Sequence, residues 1–190
     1  MPRLYCVGSK CVLCKRRGRR RACIQLRMSE ETAHERPYIH LLAGQDPAAV
    51  LRGTPAALQA TVERMGADAV NTRPGPGKWS VRELLCHIAD CEVAWAWRLR
   101  QTYGGDKPLL QPFDQDPWAR AYDGVQFTTD TALATFTALR TWNLALIETF
   151  SNADKARAAH HPEIGDLSLW HIVEIAAGHD LHHLKALDKL

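Results

Sequence analysis

The 190-residue sequence lacks the features that define several classes of protein. It has no apolar run of about 18 residues, the length that a membrane-spanning helix needs, so we expect no membrane partner. Only two of its six cysteines lie beyond residue 30, too few for a disulfide framework in a body of this size. No internal repeat of about 20 to 50 residues is evident. These absences predict one globular domain in the reducing cytoplasm.

Acidic residues are missing from the first part of the chain. Residues 1–27 hold nine basic residues and no acidic one, whereas residues 28–190 hold 15 basic and 21 acidic residues. The formal charge of +3 is therefore the sum of a basic head and a body of net charge −6. An acidic body argues against nucleic acid as the main partner.

The basic head, residues 1–30, also carries four cysteines. Structural zinc sites of this kind normally use two close cysteine pairs, and only Cys11 and Cys14 are close. Phosphate contact through residues 15–21 is a second alternative. We expect instead that the head is disordered or follows a misassigned translation start, because the charge changes abruptly at Met28.

The apolar spacing of the body predicts four helices, at residues 46–65, 80–101, 130–150 and 168–188. Ser80 and Glu83 have the spacing of a capping box at the start of the second helix. No segment shows the sustained alternation typical of a β-strand. We therefore predict an all-α four-helix bundle, in which the long connection between helices 2 and 3 is a crossover.

Three histidines lie on helix faces that are expected to pack inward. His179 and His183 are four residues apart on one face of the fourth helix, and His87 lies in the apolar stripe of the second. Antiparallel packing would bring the three side chains to the same height. They can be core histidines with other partners, or they can bind one divalent metal. Three imidazoles and an open position are typical of catalytic sites, with zinc expected before nickel, copper or iron.

Several neighbours of these histidines could support the site or have a purely structural role. His182 points about 100° away from His183, so it is a surface residue, an outer support or a replacement ligand. Cys91 is a soft ligand or a small core residue. Asp90 and Asp180 can orient imidazoles or be ordinary helix acids, and Asp114, on the connection expected to cover the metal, can support catalysis. His160, His161 and His171 are expected to be solvated.

Residues 76–90, PGKWSVRELLCHIAD, resemble the second-helix signature of the DinB-like four-helix metalloproteins. Residues 111–119, 161–163 and 178–183 are similar to later blocks of that superfamily, in the same order. The closest resemblance is to the branch of YfiT-type metal-dependent hydrolases and of bacillithiol and mycothiol S-transferases. It covers residues 38–190, which we predict to be the metal-binding domain.

The resemblance implies one divalent metal held by His87, His179 and His183. It implies either hydrolysis by metal-activated water or transfer of a thiol, with bacillithiol, mycothiol or glutathione as co-substrate. A metal- or ligand-binding stress protein without catalysis is the alternative. A small molecule is the expected substrate, and a homodimer is a possible assembly.

Overall fold

The computed structural model describes residues 36–123 and 127–189. The predicted basic head, residues 1–30, lies outside the described residues, so that prediction stays untested. The described elements are a 3₁₀ turn (Ile39–Leu42), α1 (Pro47–Asn71), α2 (Val81–Gly104), α3 (Gln115–Ala119), a second 3₁₀ turn (Arg120–Asp123), α4 (Thr129–Ile147), α5 (Asn152–Lys155), β1 (Ala158–His161), β2 (Gly165–Ser168) and α6 (Leu169–Leu187).

Side-chain caps start the four long helices close to the predicted positions. The Asp46 carboxylate accepts hydrogen bonds from the backbone N–H groups of Ala48 and Ala49 at the start of α1. Ser80 Oγ accepts from the Glu83 N–H, and Glu83 Oε2 accepts from the Ser80 N–H, which completes the predicted capping box. These bonds satisfy N–H groups that a helix start leaves without partners. The prediction of four helices is confirmed.

The first helix continues beyond its predicted end at residue 65. Gly66 interrupts it with φ 75° and ψ 166°, a conformation that glycine adopts without steric cost. The helix then resumes and ends at Asn71, which lets Val70 reach the core. A kink at Gly66 therefore lies where the sequence predicted the end of the helix.

The long helices pack with the predicted crossover. Arg82, at the start of α2, donates to the Phe127 carbonyl just before α4. Near the far end of α2, Arg100 donates to Asn143 Oδ1 at 2.7 Å, so α2 and α4 run parallel. Parallel neighbours need a connection that returns along the whole bundle, and residues 105–128 provide it.

A short hairpin is present where the sequence predicted only a connection. Strands β1 and β2 pair antiparallel, with Ala158 opposite Ser168. Each strand has four residues, too few to show an alternating pattern in the sequence. His160 and His161 both lie in β1 rather than in a loop. His160 is exposed, as expected, but the expectation that His161 is solvated is wrong, because its side chain is buried.

The buried interior contains two apolar regions with a polar layer between them. One region surrounds Ile172 and Val173 beside the hairpin, and the other surrounds Leu85 and Phe136. The intervening turns of the helices bury polar side chains, which are Glu92, Arg140, Asn143, His87, His179 and Asp180. Among the described helices, none combines the length and hydropathy needed to cross a bilayer. The three predicted histidines all lie at or beside this polar layer.

Candidate metal centre

Antiparallel packing of α2 and α6 brings the three predicted histidines together. His87, in the second turn of α2, has its ring centroid 5.0 Å from that of His183 and 5.4 Å from that of His179. One nitrogen of each ring lies within 4.8 Å of the others, and the Nε2 atoms of His179 and His183 are 3.0 Å apart. Ligand nitrogens of one tetrahedral zinc ion lie about 3.3 Å apart, given zinc–nitrogen distances near 2.05 Å. The three nitrogens therefore have a spacing close to that of one metal site.

Burial keeps the three imidazoles neutral. Desolvation lowers the pKa of His87 to about 4 and that of His183 to about 3. Desolvation also lowers the pKa of His179 well below its usual value, and the neighbouring His183 lowers it further. At neutral pH each ring therefore offers a lone pair rather than a charge, which is the form that binds metals.

The hydrogen bonding of His179 leaves room for a metal. Its Nδ1 is buried and has no partner among the described residues, and its Nε2 faces His183 Nε2. When each ring carries its hydrogen on Nδ1, both Nε2 lone pairs point into the space between the rings, where a cation can bind them. Three neutral nitrogen donors suit zinc or nickel. The residues fit a divalent metal, and their assignment as its ligands stays a prediction.

Aromatic side chains surround the three-histidine centre. The Trp79 ring lies 5.0 Å from the ring of His87. The Tyr38 ring packs edge-on against His179 at 5.5 Å, and Trp95 lies 6.3 Å from the same ring. Tyr38 reaches α6 because Gly178 has no side chain there: a Cβ at this position would overlap the Tyr38 backbone carbonyl. No local pattern indicates this contact, because it joins segments about 140 residues apart in the chain.

Cys91 lies beside the centre, four residues after His87. Its Sγ is 3.8 Å from His179 Nε2, and it is 3.6 Å from Nε2 and 3.7 Å from Nδ1 of His87. A sulfur that is almost equidistant from both nitrogens of one ring does not lie along the Nε2 lone pair. Burial raises the pKa of this thiol, which favours its neutral form. This geometry favours the interpretation of Cys91 as a core residue.

The other predicted support residues have different contacts. Asp90 accepts a hydrogen bond from the Tyr122 hydroxyl at 2.5 Å, and Asp180 binds Arg140. Asp114 is exposed and caps α3 by accepting from the Asp116 N–H. His182 is exposed. Among the described contacts, none of these three carboxylates is hydrogen-bonded to an imidazole of the centre.

A buried ionic cluster lies next to the centre and was not predicted. Arg140 of α4 bonds both carboxylate oxygens of Glu92 on α2 and both of Asp180 on α6. It also donates to the Leu51 carbonyl of α1, so one side chain joins all four long helices. Only the helical spacing of Arg140 among apolar residues could have indicated that it points inward.

Comparison with known proteins places this arrangement in a family. The sequence profile described as the DinB superfamily matches residues 50–187. The chain belongs to the DinB superfamily. The match spans α1 to α6 and includes all three histidines, which confirms the resemblance seen in the sequence.

Related DinB-superfamily proteins carry names that refer to metal. The chain is 29% identical over 136 residues to "Putative metal-dependent hydrolase OB0782" of Oceanobacillus iheyensis, covering 72% of this chain and 78% of the relative. It is 28% identical over 141 residues to "Putative metal-dependent hydrolase GK0616" of Geobacillus kaustophilus, covering 73% and 79%. To "Putative metal-dependent hydrolase YfiT" of Bacillus subtilis it is 25% identical over 142 residues, covering 74% and 80%.

A solved structure shows the same fold. YfiT from Bacillus subtilis, described as "a probable metal-dependent hydrolase with an unusual four-helix bundle topology", superposes with a TM-score of 0.68 at 23% identity. The superposition covers 75% of this chain and 82% of that one. At this identity the likeness concerns the fold alone, which it confirms as a four-helix bundle.

Proposed function

We propose that this DinB-superfamily protein is a metal-dependent enzyme for a small-molecule substrate, with His87, His179 and His183 as the ligands of one divalent metal. The observation that carries the proposal is the convergence of three neutral imidazole nitrogens within 4.8 Å of one another. The names of the relatives support hydrolysis in particular. Zinc or nickel suits this donor set.

For such chemistry the chain supplies the metal ligands and an apolar surround. When bound, a divalent metal with neutral ligands keeps its charge and lowers the pKa of water or a thiol, which supplies a nucleophile at neutral pH. The three imidazoles hold the metal without neutralising it. Trp79, Trp95 and Tyr38 form an apolar surround that limits water and favours substrates with an apolar part.

Two nucleophiles are compatible with this arrangement. Water would give a hydrolase, and bacillithiol, mycothiol or glutathione would give a thiol S-transferase of the kind that the sequence resemblance implies. A metal-binding stress protein without catalysis is the competing function. A cytoplasmic location and a homodimeric assembly also remain predictions.

Elemental analysis of purified variants tests the ligand assignment. We expect about one zinc or nickel ion per wild-type chain and loss of this metal in His87→Ala. His182→Ala is the matched control, because His182 is exposed on the helix that carries His179 and His183. Unchanged metal content in His87→Ala would overturn the assignment.

Turnover distinguishes the enzyme from the binder. The metal-loaded and chelator-treated proteins are compared on panels of esters and amides. They are also compared for the loss of monobromobimane in the presence of bacillithiol, mycothiol or glutathione. A metal-dependent rate on the esters or amides identifies water as the nucleophile. A metal-dependent loss of monobromobimane with one thiol identifies that thiol. A stoichiometric metal without a metal-dependent rate on any panel favours the binding protein.

A further inference from the structure

Arg98 is a buried cation that forms an ion pair with no buried carboxylate in the described part of the chain. It lies on α2 with a relative exposure of 9%, three turns beyond His87. Its Nη2 donates to the Gln111 carbonyl at 2.9 Å and lies 3.4 Å from His161 Nε2, and both of these partners are neutral groups. The other arginine buried to this degree among the described residues, Arg140, is paired with two carboxylates. The positive charge of Arg140 is therefore balanced by buried carboxylates, whereas that of Arg98 faces neutral groups.

The remaining donors of Arg98 have no acceptor among the residues that the structure describes. No described residue accepts a hydrogen bond from its Nε or Nη1, and neither atom belongs to the fully enclosed unpaired atoms. Glu163 acts on Arg98 through space, but this carboxylate is exposed and the two form no ion pair. Burial lowers the pKa of Arg98, which reflects the cost of holding a cation away from water. A guanidinium nevertheless stays protonated at neutral pH.

Trp95 connects Arg98 to the three-histidine centre. Its ring lies 5.1 Å from Arg98 Cζ and 6.3 Å from the ring of His179, so the guanidinium and that imidazole are separated by about 11 Å at most. An extended chain of three residues spans about 10 Å. A small molecule of this length therefore matches the separation between the centre and Arg98.

We propose that Arg98, with His161 beside it, binds a carboxylate of the molecule whose reacting group lies at the three-histidine centre. The proposal rests on the proposed function and gives it a substrate class, namely small carboxylic acids, with or without a thiol. Guanidinium matches the planar geometry of a carboxylate and forms charge-assisted hydrogen bonds with it. Among thiol co-substrates, this favours those with carboxylates, such as glutathione, over uncharged ones.

Binding of glutathione and of its diethyl ester to the full-length protein tests the proposal by calorimetry. The two probes share a thiol and a size, but the ester has no carboxylate. We expect the ester to bind about tenfold to a hundredfold more weakly than glutathione to the wild type. Arg98→Gln should weaken glutathione binding by a similar factor and leave ester binding unchanged. Arg100→Gln, on the same helix but bonded to Asn143, should bind both probes like the wild type.

Folding is controlled separately, because Arg98 also anchors the backbone at Gln111. Arg98→Lys keeps the positive charge and loses the planar donor pair, so it should show an intermediate affinity at an unchanged circular dichroism spectrum. Equal affinity of the wild type for glutathione and the ester would overturn the proposal. No measurable glutathione binding by the wild type, or full binding by folded Arg98→Gln, would do the same.

The measurement is repeated on chelator-treated protein, which separates this proposal from the proposed function. Contact with Arg98 needs no metal, so the preference for the acid over the ester should persist. If the protein prefers glutathione to its ester but binds no metal, the result would support the carboxylate site and reject the metal enzyme. Stoichiometric metal without any preference would support the metal site and reject the role of Arg98.

Discussion

Arg140 donates to Asp180 at 2.5 Å, and Asp180 directly follows His179 in α6. Burial by itself would lower the pKa of this guanidinium, but Asp180 and Glu92 outweigh burial and raise it. Arg140 therefore stays protonated at neutral pH. It fixes the height of α6 relative to α2 at the level of the three histidines, because Glu92 and Asp180 lie on those two helices.

Replacing Arg140 should destabilise the fold strongly. In Arg140→Met, the buried carboxylates of Glu92 and Asp180 lose the cation that both of them bind. Breaking a buried ion pair in this way typically costs about 3–5 kcal/mol. We expect a loss of this size in the free energy of unfolding from urea titrations. Arg52→Met is the control: Arg52 pairs with Glu148 on the surface, where both side chains are more than half exposed. It should cost about 1 kcal/mol or less, and equal losses in the two variants would contradict the importance of the cluster.

Gly178 and Gly53 should respond in opposite directions to alanine. A Cβ at position 178 would lie 2.7 Å from the carbonyl carbon of Tyr38, which is fixed backbone. Gly178→Ala should therefore displace Tyr38 from His179 and lower the melting temperature. Gly53 lies inside α1 with nothing within 4 Å of an added Cβ, so Gly53→Ala should stabilise by about 0.5–1 kcal/mol. A melting temperature that stays at the wild-type value in Gly178→Ala would disprove the close contact.

Local patterns in the sequence predict the helices and the convergence of the histidines. The Ser80–Glu83 capping box needs only residues three apart, and the His179–His183 pair needs only one helix turn. His87 joins them because apolar stripes on two helices must face each other in a bundle. The family signature in residues 76–90 adds the order of the helices.

Contacts between distant segments could not be predicted in the same way. Nothing local to Arg140 identifies Glu92 and Asp180, 48 and 40 residues away, as its partners. Asp90 is polar and close to His87 in sequence, yet its carboxylate binds Tyr122 from the connection after α3. The hairpin strands are four residues long, and β1 also pairs with the backbone of Pro108 and Leu110. Such pairings depend on which distant segments the fold brings together, and the periodicity of a single segment does not indicate this.

The Glu83 carboxylate should make the free energy of unfolding depend on pH in acidic solution. Its carboxylate accepts hydrogen bonds from Arg73, which is the largest influence, and from Ser80, and its pKa is lowered to about 2 from a usual value of 4.5. Because the unfolded chain binds the proton first, the stabilisation is complete above about pH 4.5 and is lost as the pH falls towards 2. The wild type should exceed Glu83→Gln in unfolding free energy by about 1–3 kcal/mol at pH 7.

The difference between these two proteins should shrink as the pH falls below about 4.5. Urea titrations at several pH values between 7 and 3 measure it. Glu63→Gln is the control, because Glu63 is exposed and bonds only Gln59 across one turn among its described side-chain contacts. A difference between wild type and Glu83→Gln that does not change with pH would contradict the lowered pKa.

The metal-free protein should lose stability in mildly acidic solution. The pKa of His87 is about 4 and that of His183 about 3 in the folded chain, because burial disfavours their charged forms, against a usual value of 6.5. Between about pH 6.5 and 4 the unfolded chain therefore binds more protons, and unfolding becomes easier as the pH falls, by up to about 1.4 kcal/mol per pH unit for each histidine.

His87→Gln removes one such group, so its unfolding free energy should fall less steeply over this range in chelator-treated samples. His182→Gln, which changes an exposed ring, should keep the wild-type slope. Identical slopes in wild type and His87→Gln would show that His87 is not held neutral by the fold.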